Sequence, residues 1–569
     1  MKKNIIRFQT LTLLAFFVFV SNLFSQKTYP DQSDSSIVHR IKKDIYLLAS
    51  DSLQGRETGT KYEIIARDYI VSHYKEIGIA PAFKDGSYLQ AFTFKGAPVY
   101  GDSNFLKINS KIFKLQKDFY PLSYSASGKV KGELVKVGYG IVVPQKNYND
   151  YLNKDVEGKI AVIETGVPKG TISDSLYAKY LQLDKKIDTA LAKGAIGIVF
   201  INSDKSFPDP STYLDSRATP SSVPVIFAAQ MAYKLIMDGT KNIASINVDL
   251  VKENKTGYNV GAFIDNKAPT TIVFGGHYDH LGWGKENSFY HGDKPMIHPG
   301  ADDNASGTIA VVELARYFKN SANKKNNYLF LNFSGEEKGL LGSSWFTKSE
   351  AYNLSTVDYM FNFDMLGKYD STQGLIIFGT GTSSLWDTII ATTPRQNLKI
   401  KKVKSGLEGS DQMSFYLKNL PVLFFNTGAD LENYHLPSDK AYKLNYPGEV
   451  QVIKYIERIA ERTDSLGKIP FTKSSDSAGM GGKHSYSVTL GVVPDMTFDG
   501  KGMRVEAVKD GKTAFKAGIK AGDIVLKIGD NEVLEMKTYM KALGKYHKGD
   551  KAMVTIKRGE ETLVKEVVF

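Results

Sequence analysis

At 569 residues the chain is too long for one hydrophobic core, and about three or four domains are expected. Its 42% hydrophobic and 24% charged residues describe ordinary globular protein and exclude a disordered chain. The formal charge of +12 is spread along the sequence with no basic run interleaved with aromatics, which argues against a nucleic-acid partner.

Lys2, Lys3 and Arg7 precede the apolar run Leu11 to Val20, and Ser21 to Gln26 follow. That layout predicts a secretory signal peptide over residues 1–25, cleaved after Ser25, and hence export to a periplasmic or extracellular space, with an uncleaved anchor as the alternative. No later stretch is long enough to span a membrane. Cysteine is absent, so no disulfide or lipid-bearing thiol can form, and a metal site would use histidine and carboxylate.

From Ile37 to Phe94 the apolar spacing is helical, with Gly78 and Pro81 as stops; Leu48 to Thr60 reads as a loop. Residues 107–251 shift to short β-rich runs at Glu133–Val137, Lys159–Glu164, Ile196–Asn202 and Val223–Phe227, with a helix over Ser175–Lys193. None of these strands ends in acids or histidines, so a lid or binding module is expected. Strands then alternate with helices: Thr271–Gly275, Tyr328–Phe333, Tyr359–Phe363, Leu375–Phe378 and Val422–Phe425, closed by a helix over Val450–Arg462. Such alternation predicts a mostly parallel α/β sheet covered by helices on both faces, with ligands outside the carboxyl ends of its strands. Lys468–Lys483 reads as a linker, and a small β-rich domain with a helix near Met536–Leu543 follows.

Gly300-Ala-Asp-Asp-Asn-Ala-Ser-Gly307 places two carboxylates in a turn before the helical run Thr308–Phe318. By itself the turn could cap that helix or face a cation. Its neighbours favour the cation. His277-Tyr-Asp-His280 follows the first strand, Ser334-Gly-Glu-Glu337 the second and Asp364 the third, and Tyr434-His435-Leu-Pro-Ser-Asp439 lies beyond Val422–Phe425. A lone histidine is usually structural, but these sets converge on one predicted sheet edge.

The segments GGHYDHLG, GADDNASG, SGEEKGLLGS, NFDMLG and YHLPSD resemble, in order, the signatures of the co-catalytic zinc aminopeptidase family. The resemblance spans Tyr258 to Arg462, and Gln54 to Thr60 is similar to the family's N-terminal part. It implies two zinc ions per chain, one held by His277 and Asp364, the other by Glu337 and His435, with Asp302 bridging. The same donors also admit another divalent metal. Glu336 would be the general base, Asp279 a supporting partner of His277, and Asp303 a conformational partner joined to Asp302 by a cis peptide. Trp283 to His298 departs from the pattern; His291, His298 and Asp293 could add ligands there, but a mobile rim of the substrate pocket is the expectation. Gly409 to Gln412 departs too, with Gln412 where the family often has histidine.

Lys154–Val162 and Ala192–Phe200 resemble the protease-associated domain, and Ala517–Gly529 resembles a PDZ domain. The implied organisation is residues 26–106 and 252–466 for the peptidase, 107–251 for the insertion, 467–483 for the linker and 484–569 for the PDZ domain. Leu490, Gly491 and Val492 are the expected groove for a peptide C-terminus. The expected function is an exported aminopeptidase acting on peptides. A single-zinc glutaminyl cyclase and a non-catalytic receptor-like ectodomain stand as alternatives. A carboxypeptidase is weaker, since Arg316 is the only arginine between Arg217 and Arg395.

Overall fold

The computed structural model describes residues 34–569 except 215–219, 239–241, 291, 293, 429–431, 465, 475–487, 496, 497, 499, 509, 510 and 535. The expected signal peptide, His291 and Asp293 therefore lie outside the described residues. Among the described residues, no helix is long and apolar enough to cross a membrane.

The central sheet is built from β1 (Ala80–Pro81), β2 (Leu89–Tyr100), β3 (Leu250–Ile264), β4 (Thr271–His277), β5 (Asn327–Phe333), β6 (Val357–Phe363), β7 (Leu375–Phe378), β8 (Ile400–Lys402) and β9 (Val422–Asn426). Its order is β1-β3-β5-β4-β6-β9-β7-β8, with β2 also pairing β3. The middle four strands, β5-β4-β6-β9, are mutually parallel; β3 joins β5 and β7 joins β9 antiparallel. The sheet is thus mixed, with its parallel part in the centre.

Side-chain alternation gives the sheet two buried faces. Ile272, Phe274, Tyr328, Phe330, Tyr359 and Phe361 pack under α1 (Asp34–Leu48), α2 (Lys61–Ile77), α3 (Gly307–Asn320) and α5 (Tyr446–Thr463). On the other face Val273, Leu329, Leu331, Met360 and Val422 meet Phe346 of α4 (Leu341–Lys348) and Phe415. Burial on both faces explains why these strands read as continuous apolar runs rather than alternating ones.

The helical reading of Ile37–Phe94 extends too far, because β2 begins at Leu89. Its residues alternate in exposure as they pair with β3, and β2 and β3 run as a ribbon out to the inserted module. That module is an eight-stranded sheet whose middle strands Gly128–Lys136, Ile160–Glu164, Gly197–Ile201 and Val225–Ala228 are parallel. The expected helix over Ser175–Lys193 is broken into Ser175–Ala178, a 3-10 turn and Leu183–Ala192, with Gln182 extended at the break.

The start of the expected linker is packed rather than free. Ile469 is buried in the central core and its N–H donates to Asp358 at 2.6 Å, while Ser474 Oγ hydrogen-bonds Tyr416. In the C-terminal domain Val492–Pro494 is an edge strand, and Leu490 is fully buried in that domain's core. Lys348 of α4 pairs with Asp495 at 3.2 Å and Glu506 at 3.1 Å, and Lys541 with Asp188 of the inserted module at 3.1 Å.

Candidate active site

The carboxyl ends of β4, β5 and β6 deliver the first set of side chains. His277 is the last residue of β4, Glu336 follows β5 after Ser334-Gly335, and Asp364 directly follows β6. His277 Nε2 lies 3.6 Å from Asp364 Oδ1, 3.8 Å from Glu336 Oε2 and 3.5 Å from Asp303 Oδ1. It is buried and makes no hydrogen bond. Its other nitrogen, Nδ1, lies 3.2 Å from the main-chain oxygen of Asp279. A carbonyl oxygen only accepts, so Nδ1 carries the proton and Nε2 is free to offer a lone pair. Asp279 also supports Glu336: its Oδ1 accepts the Glu336 N–H at 3.2 Å and its Oδ2 accepts from Thr58.

The second set rests on loops. Glu337 Oε1 lies 2.7 Å from His280 Nδ1, and its Oε2 lies 3.1 Å from His435 Nε2. Asp303 Oδ2 is 3.3 Å from the same His435 nitrogen. Two three-residue groups able to hold a cation result, His277-Glu336-Asp364 and His280-Asp303-Glu337. Adjacent glutamates thus diverge: Glu336 faces His277 and Glu337 faces His280 and His435. Glu336 and Asp364 are the more accessible acids, at 12% and 13% side-chain exposure against 4% and 6% for Asp303 and Glu337.

Asp303, not Asp302, stands between the groups, and the cis peptide joins Asp303 to Asn304 rather than Asp302 to Asp303. The turn's hydrogen bonds explain the direction. The Asp439 carboxylate accepts the N–H groups of Asp302 and Asp303 at 3.0–3.1 Å. Asn304 donates to Phe363 O at 2.9 Å and accepts the N–H groups of Gly307 and Met365. Held in this way, the two aspartates point to opposite sides. Asp302 Oδ1 accepts the Gly367 N–H at 2.8 Å, and its Oδ2 is buried without a hydrogen-bond partner. Gly300, at φ 59, is needed here because a Cβ would lie 2.2 Å from Asp303 O and 2.5 Å from the His280 ring.

Arg56 lies behind this turn, fully buried. Its guanidinium donates to the carbonyls of Leu48, Tyr278, Pro299 and Gly300 at 2.6–3.0 Å, so one side chain ties the N-terminal loop to both ligand-bearing loops. Arg56, His280 and Asp439 all lie in segments that the sequence singles out, yet none carries a visible role there. His280 sits in the same short turn as His277 and Asp279, which is the available signal.

Electrostatics expose the crowding. Burial raises the pKa of Glu336 well above its usual value, with Glu337, Asp364 and Asp411 adding to the shift against the opposing pull of His277. Burial also raises Asp303, and it pushes Asp302 up to about 8 with help from Asp439. Glu337 goes the other way: burial favours its neutral form, but His435 and His280 together hold it well below the usual range. Burial opposes protonation of His435, yet Glu337 and Asp303 lift it to about 11. Four carboxylates facing three imidazoles in a buried cleft are an expensive arrangement that two divalent cations would neutralise. The donor types, the orphaned His277 Nε2 and the charge balance fit such ions.

Within Trp283–His298, expected as a mobile rim, Asn287 and Phe289 are tied to the back of the second set. Asn287 Nδ2 donates to Glu337 O at 2.6 Å, Asn287 O lies 2.7 Å from His435 Nδ1, and the Phe289 N–H donates to His435 O. Phe289 remains 56% exposed, with its ring 5.6 Å from that of His435. Gln412 is buried and accepts from Asn362, whose amide also reaches Ser410; Ser410 in turn donates to Asp364 at 2.9 Å.

The site thus sets one histidine–carboxylate group at the strand ends of a parallel-centred α/β sheet beside a second group carried on loops. Residues 259–459 match the model of peptidase family M28. Residues 130–236 match the PA domain and 482–568 the PDZ domain. The chain is 27% identical over 253 residues to a probable leucine aminopeptidase of Arthroderma benhamiae, covering 43% of this chain and 66% of that one. It is 25% identical over 292 residues to aminopeptidase YwaD of Bacillus subtilis, covering 46% and 56% respectively. The chain therefore spans under two thirds of the length of these relatives. A solved zinc aminopeptidase from Bacillus subtilis superposes with 20% identity and a TM-score of 0.45, over 77% of this chain and 96% of that one.

Proposed function

We propose that the protein is an exported metallo-aminopeptidase that hydrolyses the N-terminal peptide bond of peptides and uses two zinc ions. The observation that carries this reading is Asp303, whose two oxygens face His277 on one side and His435 on the other. One cation would be held by His277 and Asp364, the other by Glu337 and His435, with Asp303 shared between them. Bound there, divalent cations acidify water and stabilise developing oxyanion charge.

The remaining work falls to the chain's own residues. Glu336 accepts a proton from the attacking water and passes it to the leaving amine. Its carboxylate is 12% exposed, more than those of Asp303 and Glu337, and its Oε2 lies 3.8 Å from His277 Nε2. Asp279 holds the Glu336 backbone and the His277 ring, which fixes the distance between base and metal ligands. Burial in the cleft limits competing water, and Asp439 keeps the acidic turn in place.

Retention of a full donor set on each side of Asp303 favours two cations over the single zinc of a glutaminyl cyclase, and it disfavours a non-catalytic ectodomain. The edge strand Val492–Pro494 supports peptide binding at the PDZ domain by strand addition, although the Leu490 side chain is buried and its carbonyl accepts the Ala514 N–H. Glu336→Gln tests the role of the base. It is expected to lower kcat by about 10²–10⁴-fold on aminoacyl substrates while metal content stays unchanged. Full activity in that variant removes Glu336 as the base, and cleavage of N-terminally blocked peptides at internal bonds contradicts the exopeptidase reading.

A further inference from the structure

The second half of the site owes its geometry to the insertion between Gly282 and His298. Two observations anchor that segment. The His298 N–H donates to Gly282 O at 2.8 Å, and the His298 ring is buried with both nitrogens engaged: Nδ1 with Met296 O at 2.9 Å and Nε2 with Ser288 Oγ at 2.7 Å. Gly284, at φ 67, makes room for the ring, since a Cβ there would lie 2.0 Å from His298 Cε1. On the outer side Glu286 pairs with Lys338 at 3.1 Å, and Lys338 pairs with Glu57 at the same distance.

Asn287 sits between these anchors at φ 56, a left-handed conformation that asparagine tolerates better than most residues. Its main-chain oxygen faces His435 Nδ1 at 2.7 Å, and its side-chain amide donates to the main-chain oxygen of Glu337 at 2.6 Å. A carbonyl oxygen cannot donate, so Nδ1 keeps its proton and Nε2 is the nitrogen turned toward Glu337 and Asp303. One residue therefore sets the ring orientation of one proposed ligand and the backbone position of the other. In the first half Asp279 does the same for His277 and Glu336, but from the strand-end turn itself.

We infer that Asn287 is a positioning residue for the cation site formed by Glu337, His435 and Asp303, so that the insertion tunes the affinity of one of the two cations. This inference rests on the two-cation reading above. Outer partners of metal ligands commonly contribute about 10–100-fold to metal affinity. Asn287→Gly keeps the left-handed backbone and removes the amide; Asn287→Asp keeps a residue tolerated at that φ and removes the donor.

The test is a Zn²⁺ titration of the metal-free full-length chain against a chromophoric chelator, with the melting temperature of the metal-free protein read alongside. Wild type is expected to show two binding events. Both variants are expected to weaken one event by about 10–100-fold, to leave the other within about twofold, and to melt with wild type. Unchanged affinities in both variants overturn the inference. Equal weakening of both events together with a lowered melting temperature also overturns it, since that reports a general structural role. A wild-type chain that takes up fewer than two cations overturns the two-cation reading itself, and the inference with it.

Discussion

The two halves of the site use similar side chains but are built differently. His277, Glu336 and Asp364 stand at or just beyond the ends of parallel strands β4, β5 and β6, where the sheet register fixes their spacing. His280, Glu337, His435 and Asp303 come from turns, and their partners lie in other turns: Asp439 under the acidic turn, Asn287 behind His435, Arg56 behind Tyr278 and Gly300. A sheet edge offers a rigid row of ligand positions at little cost, whereas a loop-built group needs partners from several segments to reach the same precision. The loop-built half is therefore the part of the site open to change by insertion.

The largest expected effect separates two adjacent acids in the loop-built half. Asp303→Asn should cost on the order of 10³-fold in kcat/KM and lower the zinc content, because both proposed cation sites use this carboxylate. Asp302→Asn should retain both cations, since an amide oxygen can still accept the Gly367 N–H. Zinc content and aminoacyl hydrolysis of the two variants, measured side by side, check this; equal losses in both would erase the distinction.

Asp279→Ala, which removes the carboxylate that accepts the Glu336 N–H and lies 3.6 Å from His277 Nδ1, probes the strand-built half in the way Asn287→Gly probes the other. Weakening of one cation by about 10–100-fold is expected in each, but at opposite sites. The double variant should therefore weaken both, as read in the same chelator titration. Weakening of the same site by both single changes would contradict the division into halves.

A smaller effect concerns the inserted module. Lys186 is fully buried, donates to Glu164 O at 2.6 Å and to Gly166 O, and is pushed down by burial to about 7 from an ordinary 10.5. Between those values the unfolded chain binds more protons than the folded one, so stability rises with pH across this window, by up to about 1.4 kcal/mol per unit. Urea unfolding followed from pH 7 to pH 10 should show the rise, and Lys186→Met should flatten it.

What was legible in the sequence follows the same division. The strand-end residues stand out because apolar runs such as Tyr328–Phe333 stop abruptly at Gly335-Glu336-Glu337, and the sheet then brings those ends together. The sequence alone does not distinguish Asp302 from Asp303, and the structure turns Asp303 toward the histidines. Which carboxylate faces the histidines depends on how Asp439 and Asn304 grip the turn, and those contacts cross more than a hundred residues and about sixty residues of chain respectively. The support role of Trp283–His298 was hidden for a related reason. Its key contacts use main-chain atoms of Asn287, Phe289 and His435, which carry no side-chain signature. β2 was missed because its residues read as a continuation of helical spacing, and only pairing with β3 makes them a strand.

The most direct test of the central claim is an anomalous-difference map from crystals of the zinc-loaded chain. Two peaks are predicted, one against His277 and Asp364 and one against Glu337 and His435, with the Asp303 carboxylate between them. A single peak, or a metal shared through Asp302 with Asp303 turned away, would contradict it.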